Sequence, residues 1–181
     1  MTAEVRARRP EDLPLLVDVL AEQQPVSRYP VRWPFPYPLA DFVARPGELA
    51  SWTAEVDGRP VGHVSIHPLP THVTPGDTDL TALWTGAHGR PAEELAALGS
   101  FFVADDHQAT GLGRLLHDTA VGWMRRAGRG PCLEVFTGSP RAHGFYTRLG
   151  WRDIELVRPA WLPDGEPPVA VMWLPPPLRR P

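Results

Sequence analysis

In Phe101-Phe102-Val103-Ala104-Asp105-Asp106-His107-Gln108-Ala109-Thr110-Gly111-Leu112-Gly113-Arg114-Leu115-Leu116 an apolar strand runs into a Gly-x-Gly turn and directly out into a helix. Leu112, Leu115, Leu116, Thr119, Ala120, Trp123 and Met124 recur at helical spacing, which predicts a helix over 111–127 ended by Gly128 and Gly130. A glycine-rich turn feeding a helix gathers several backbone N–H groups and adds the positive end of the helix dipole. That arrangement suits a diphosphate, and the glycines let backbone and anion approach. Gly-x-Gly is also part of the dinucleotide fingerprint. Here the turn lies past the middle of the chain, with no strand-helix-strand continuation to a ribose-binding acid, which disfavours nicotinamide dinucleotide binding.

Downstream of the turn, 132–136 reads as a buried strand, and Ser139-Pro140 places an N-cap beside an N1 proline to start a helix through Phe145-Tyr146 to Gly150. Two closing strands follow, over 151–157 and 169–174, and a proline tail begins at Pro175. Upstream, 95–103 is the apolar strand that enters the turn, and 79–88 is a short helix closed by Gly89. Asp57-Gly58 joins strands 51–56 and 60–67 into a hairpin, because both residues of that dipeptide tolerate positive φ. A first strand at Val5-Arg6-Ala7-Arg8 and a helix carrying Leu13, Leu15, Leu16, Val19 and Leu20 open the chain. From Gln24 to Pro38 the prolines at 25, 30, 34, 36 and 38 argue against regular helix, so this is a shaped loop followed by a short helix near 39–44. Its Tyr29, Trp33, Phe35 and Tyr37 either plug a core edge or line a substrate pocket. The order of elements gives an α/β chain with a mixed sheet, helices on its faces, and a ligand crevice where neighbouring parallel strands split.

At 181 residues and 43% hydrophobic content, the chain is read as a single domain over 1–181 with a tail over about 175–181. Its lone cysteine, Cys132, falls in a buried strand, so no disulfide framework exists and a cytoplasmic setting is expected. The N-terminus lacks the pattern of a signal peptide, and Asp18 interrupts the first apolar stretch, so no membrane association is expected. A net charge of -3 argues against nucleic acid as a partner. All 18 basic side chains are arginine, which excludes lysine-based covalent chemistry. His63, His67 and His72 lie on a strand followed by prolines and give no convincing ligand geometry, so no metal is expected. Glu93-Glu94 and Asp105-Asp106 read as solvated charges, with Asp106 alternatively attracting a cationic amine.

Gln108-x-x-Gly111-x-Gly113 together with Ala142-x-x-Phe145-Tyr146-x-x-x-Gly150-Trp151 resembles the two linked signatures of the GCN5-related N-acetyltransferase (GNAT) family. The resemblance extends over nearly the whole chain and implies a mostly antiparallel sheet of about seven strands, splayed between strands 4 and 5. It implies an acetyl-CoA-dependent transfer of acetyl to a primary amine, on a small molecule or a peptide N-terminus, with a homodimer as a family-level expectation. A non-catalytic acyl-CoA-binding module is the alternative. Backbone groups of Phe101, Phe102 and Val103 would pair with the pantetheine arm like an added strand, with an N–H near Val103 as oxyanion donor. Amides of Gln108, Ala109, Thr110, Gly111, Leu112, Gly113 and Arg114 would hold the pyrophosphate, with Arg114 adding a charged contact.

Ser139 stands where the family often carries a cofactor-touching asparagine, and Asp105 where a proline is common. Tyr146 matches the tyrosine that protonates the departing CoA thiolate, against the alternative of an ordinary core aromatic. Glu134, in Leu133-Glu134-Val135, occupies the strand position of the base in enzymes that acetylate ribosomal-protein N-termini; otherwise it is a solvated glutamate on an alternating strand. His63 and His67 are weaker candidates for the base.

Overall fold

The alternation of short apolar strands with amphipathic helices resolves, in a computed structural model describing residues 2–177, into seven strands and five helices. The strands are β1 (Ala3–Ala7), β2 (Ala50–Val56), β3 (Arg59–His67), β4 (Leu95–Val103), β5 (Gly130–Phe136), β6 (Arg152–Val157) and β7 (Val169–Trp173). The helices are α1 (Leu13–Ser27), α2 (Leu39–Val43), α3 (Leu80–His88), α4 (Leu112–Arg126) and α5 (Pro140–Arg148). Sheet order is β1-β2-β3-β4-β5-β7-β6. The chain divides into two compact units, one of Met1–His67 and Leu98–Trp123 and one of Pro68–Ala97 and Met124–Pro181. Pro175, the start of the expected tail, is described, whereas 178–181 lie outside the described residues.

In the first unit Asp57 and Gly58 take φ of 49° and 80°, so the hairpin between β2 and β3 turns on the two positive-φ residues the dipeptide supplies. β1 adds antiparallel to β2, and β3 is buried from Pro60 to Ile66. Helix α1 buries Leu16, Val19, Leu20 and Gln23, one face at helical spacing, and the three apolar side chains cluster with Phe42, Val43 and Phe102. Contrary to the sequence expectation, the prolines do not end α1 before Gln24; Pro25 lies inside its last turn. That turn is closed by other groups. Arg28 adopts a left-handed conformation and donates its N–H to Gln24 O at 2.7 Å, while the amides of Gln23 and Gln24 donate to Tyr29 O and Pro30 O. The aromatic loop plugs a core edge, with Tyr29 and Phe35 packed edge-on against Phe42, whereas Trp33 and Tyr37 remain exposed.

In the second unit β5 pairs antiparallel with β7, and β7 with β6. The parallel register couples Leu95 to Gly130, Ala96 to Pro131 and Ala97 to Cys132, the opening residues of a nine-residue β4. Helix α3 is capped at its start by Asp79, whose carboxylate accepts Ala82 N–H at 2.9 Å, and at its end by left-handed Gly89. Trp84 is buried and donates its indole N–H to Met172 O at 3.0 Å, tying α3 to β7. No helix among the described residues is long and apolar enough to cross a membrane.

Candidate active site

The turn that follows β4 is shaped by two left-handed residues, Ala109 at φ 61° and Gly111 at φ 95°. A short single-turn helix over Asp105–His107 precedes it, and Leu115 N–H donates to Gly111 O at 3.0 Å to begin the helical ladder. The N–H groups of the first turn of α4 have no intrahelical acceptor by helix geometry, so Leu112, Gly113 and Arg114 supply donors to whatever lies beyond the helix start. A Cβ added at Gly111 would meet nothing within 4 Å, so the turn is uncovered at that residue. A Cβ at Gly113 would lie 3.9 Å from Val103 Cγ2 and 4.0 Å from Phe101 Cζ, which places those two side chains against the first turn of α4. Phe102 goes into the cluster with α1 and α2 instead. A shallow cavity of about 350 Å³ adjoins the turn, bounded by Val56, His107, Thr110, Gly111, Leu112 and Leu115.

The polar side chains of the turn serve the turn itself. Gln108 donates its amide to Val103 O at 3.3 Å and to Asp105 Oδ1 at 2.8 Å, and Thr110 Oγ1–H donates to His107 O at 2.6 Å. His107 Nδ1 meets Asp106 Oδ1 at 2.6 Å, and this hydrogen bond holds the exposed Asp106 carboxyl below its ordinary range. Arg114, expected to reach an anion, donates from Nε to Asp118 Oδ2 at 2.6 Å one turn along α4. Burial pushes the Asp118 carboxyl up, but bonds from His117 and Arg114 outweigh it and leave the group below its usual value.

Glu134, Ser139 and Tyr146 belong to the second unit. β5 is buried at every position except Glu134, the only exposed member of the strand. Ser139 takes the N-cap position of α5, but its hydroxyl makes no capping bond, which corrects the expected side-chain cap; its carbonyl accepts from Ala142 and His143. Tyr146 is 8% exposed, with its ring edge-on to Phe145 at 5.3 Å and to Trp151 at 5.8 Å. Its carbonyl accepts from Leu149 and Trp151, so the backbone turn at Gly150 and the aromatic cluster fix the same residue. Cys132 is buried, and burial pushes its thiol up, away from nucleophilic use.

The two histidines considered as bases lie on β3 in the first unit, with His67 only partly buried. His63 is fully buried and bonded through Nδ1 to Ser100 O at 2.8 Å, while His67 Nε2 lies 2.7 Å from Ser65 Oγ. Burial pushes the His63 ring down to about 3, and burial with nearby Arg45 and Arg8 pushes His67 down to about 4. Sequence reasoning missed Ser100, a buried non-glycine residue at φ 45° within β4; the one available signal was Gly99 inside a strand pattern.

A model of the acetyltransferase (GNAT) family matches residues 16–151, well over half of the chain. The chain belongs to the GNAT acetyltransferase family. A search of curated protein sequences returns no match. Among solved structures, this GNAT acetyltransferase is similar to the ribosomal-protein-S18-alanine N-acetyltransferase from Escherichia coli, with TM-score 0.66 and 19% identity over 96% of this chain and 94% of that one. It is also similar to the PaiA N-acetyltransferase from Thermoplasma acidophilum in complex with coenzyme A, with TM-score 0.65 and 17% identity over 96% and 99%. A spermidine N-acetyltransferase chimera from Vibrio cholerae and hSSAT gives TM-score 0.66 and 16% identity over 96% and 95%. The mixed seven-strand sheet with its parallel β4–β5 pair is the fold of these neighbours.

Proposed function

We propose that this GNAT acetyltransferase takes acetyl-CoA as its cosubstrate, holds it through the amides of residues 108–114 and the peptide edge of Phe101–Val103, and transfers acetyl to a primary amine. The observation that carries this reading is the turn at Gly111, left-handed, uncovered and leading directly into α4. Donors at a helix start meet a diphosphate with little reorganisation, because the peptide dipoles are already fixed. The coenzyme A in the Thermoplasma neighbour is consistent with that use, and the neighbours named for a ribosomal-protein alanine and for spermidine both act on amines.

When bound, the thioester supplies an activated acetyl group. The remaining work falls to this chain's residues. Glu134 would take a proton from the acceptor ammonium so that the neutral amine can attack, and the Tyr146 phenol would donate one to the sulfur as the new C–N bond replaces the C–S bond, leaving an amide and a neutral thiol. A backbone N–H near Val103 would stabilise the negative charge on the thioester carbonyl oxygen. Burial of Tyr146 among Phe145 and Trp151 keeps its ring in one orientation for that proton transfer.

Isothermal titration with acetyl-CoA, with NADH as the control, tests the reading. Saturable binding of acetyl-CoA alone is expected. Absence of binding, or equal binding of NADH, removes the assignment of the turn.

A further inference from the structure

Strand β4 is not regular. Ser100 sits in the left-handed region at φ 45° while completely buried, a conformation that a non-glycine residue keeps only when its surroundings hold it there. Three side-chain hydrogen bonds converge on Ser100 and its neighbour Gly99. Ser65 Oγ–H donates to Gly99 O at 3.1 Å, His63 Nδ1–H donates to Ser100 O at 2.8 Å, and Ser100 Oγ–H donates to Phe42 O at 2.6 Å. Gly99 itself has no room for a side chain without pressing on His67, whose Cδ2 lies 3.2 Å from the position of an added Cβ.

The His63 ring is fixed in one protonation state and one tautomer. Its Nε2 faces the Arg8 guanidinium at 3.4 Å, a group that only donates, so Nε2 accepts and Nδ1 carries the proton given to Ser100. Arg8 is anchored in turn by Glu48 at 2.5 Å and by Val43 O at 2.9 Å. A left-handed residue inside a strand rotates the peptide planes that follow it, so the direction in which Phe101, Phe102 and Val103 present their N–H and C=O groups is set at Ser100.

We propose that His63, supported by Ser65, is a positioning residue for the pantetheine arm of the acyl-CoA: by holding Gly99 and Ser100 in the kink, it aims the peptide edge of Phe101–Val103 at the arm. This rests on the acyl-CoA reading above. His63 touches neither cofactor nor amine; it acts through Ser100.

The test compares CoA with 3′-phosphoadenosine 5′-diphosphate, which carries the pyrophosphate and nucleotide but no pantetheine. His63→Leu, close in size but without the donor, should weaken CoA binding by about tenfold or more and leave the nucleotide within about twofold of wild type. His63→Asn, whose amide places an N–H near the position of Nδ1, should bring CoA to within about threefold of wild type. Equal loss of both ligands in the Leu variant, or unchanged CoA affinity, overturns the inference, as does an Asn variant no better than Leu. If His63→Leu does not fold, Ser65→Ala, which deletes the bond to Gly99 O, is put through the same comparison with the same expected split. Wild-type protein that binds neither ligand overturns the acyl-CoA reading itself, a result separate from any loss confined to the variants.

Discussion

Substitutions at Gly111 and Tyr146 separate binding from turnover. Nothing crowds Gly111, so a side chain there is opposed by backbone strain at φ 95° and by intrusion into the open space of the turn, not by a clash within the core. Gly111→Val should therefore lower CoA affinity by about tenfold or more with the fold intact. Tyr146→Phe keeps the ring and its packing and removes only the hydroxyl, so turnover should fall about a hundredfold at nearly unchanged CoA affinity. Titration paired with thiol-release kinetics checks both, and a Phe variant with wild-type turnover would remove the acid role. The positive φ at Gly111 and the aromatic packing of Tyr146 were legible in the sequence because glycines and paired aromatics carry their constraints in their identity. Ser100 and His63 were not, because a serine in a left-handed kink looks like any other serine until its partners from β3 and α2 are placed. Arg114 was read as a cation for an anion; in the free protein its Nε donates to Asp118 one helical turn along while the side chain stays exposed.

Elements were legible where local chemistry decides them. Asp57-Gly58, Asp79 with Gly89, and Ser139-Pro140 each mark a boundary close to the observed one. The end of α1 was not, since a proline in the last turn forfeits a single ladder bond and the glutamine amides take up carbonyls just past the helix. The start of β5 shows an element boundary set by packing. A Cβ at Gly130 would lie 2.7 Å from both His88 Cε1 and Leu95 Cδ2. Leu95 has rotamers to spare, but the His88 ring is held by Pro131 O at 3.1 Å and lies edge-on to Trp173 at 5.0 Å. Gly130→Ala should cost about 1–3 kcal/mol in urea unfolding. Adding His88→Ala should return part of that loss; a purely additive double variant would show that the crowding is not with His88.

For the whole molecule, acid should be the weak side. An unfolded histidine takes a proton near 6.5, whereas folded His63 and His67 stay neutral down to about 3 and about 4. The unfolded chain thus binds more protons across that window, and stability falls as pH drops below 6.5. Asp12 acts in the same direction lower down. The side-chain hydrogen bond from Arg6 outweighs burial and holds its carboxyl at about 2, so its stabilisation is complete above 3.8 and is lost as pH falls through about 2. Denaturant unfolding should show stability declining by on the order of 1 kcal/mol per pH unit between pH 6 and 4, with a shallower slope in His63→Asn. A level profile from pH 7 to 5 would contradict this.

The division into two units has a consequence for dissecting the gene. The chain leaves the first unit after His67, re-enters it at Leu98 within β4, and leaves again after Trp123 in the last turn of α4. No single stop codon or alternative start therefore isolates either unit, and a nested deletion series will map loss of folding, not the borders of a function. Fragment complementation faces the same difficulty, because each half would have to be supplied as two pieces, and one strand and one helix would be cut through.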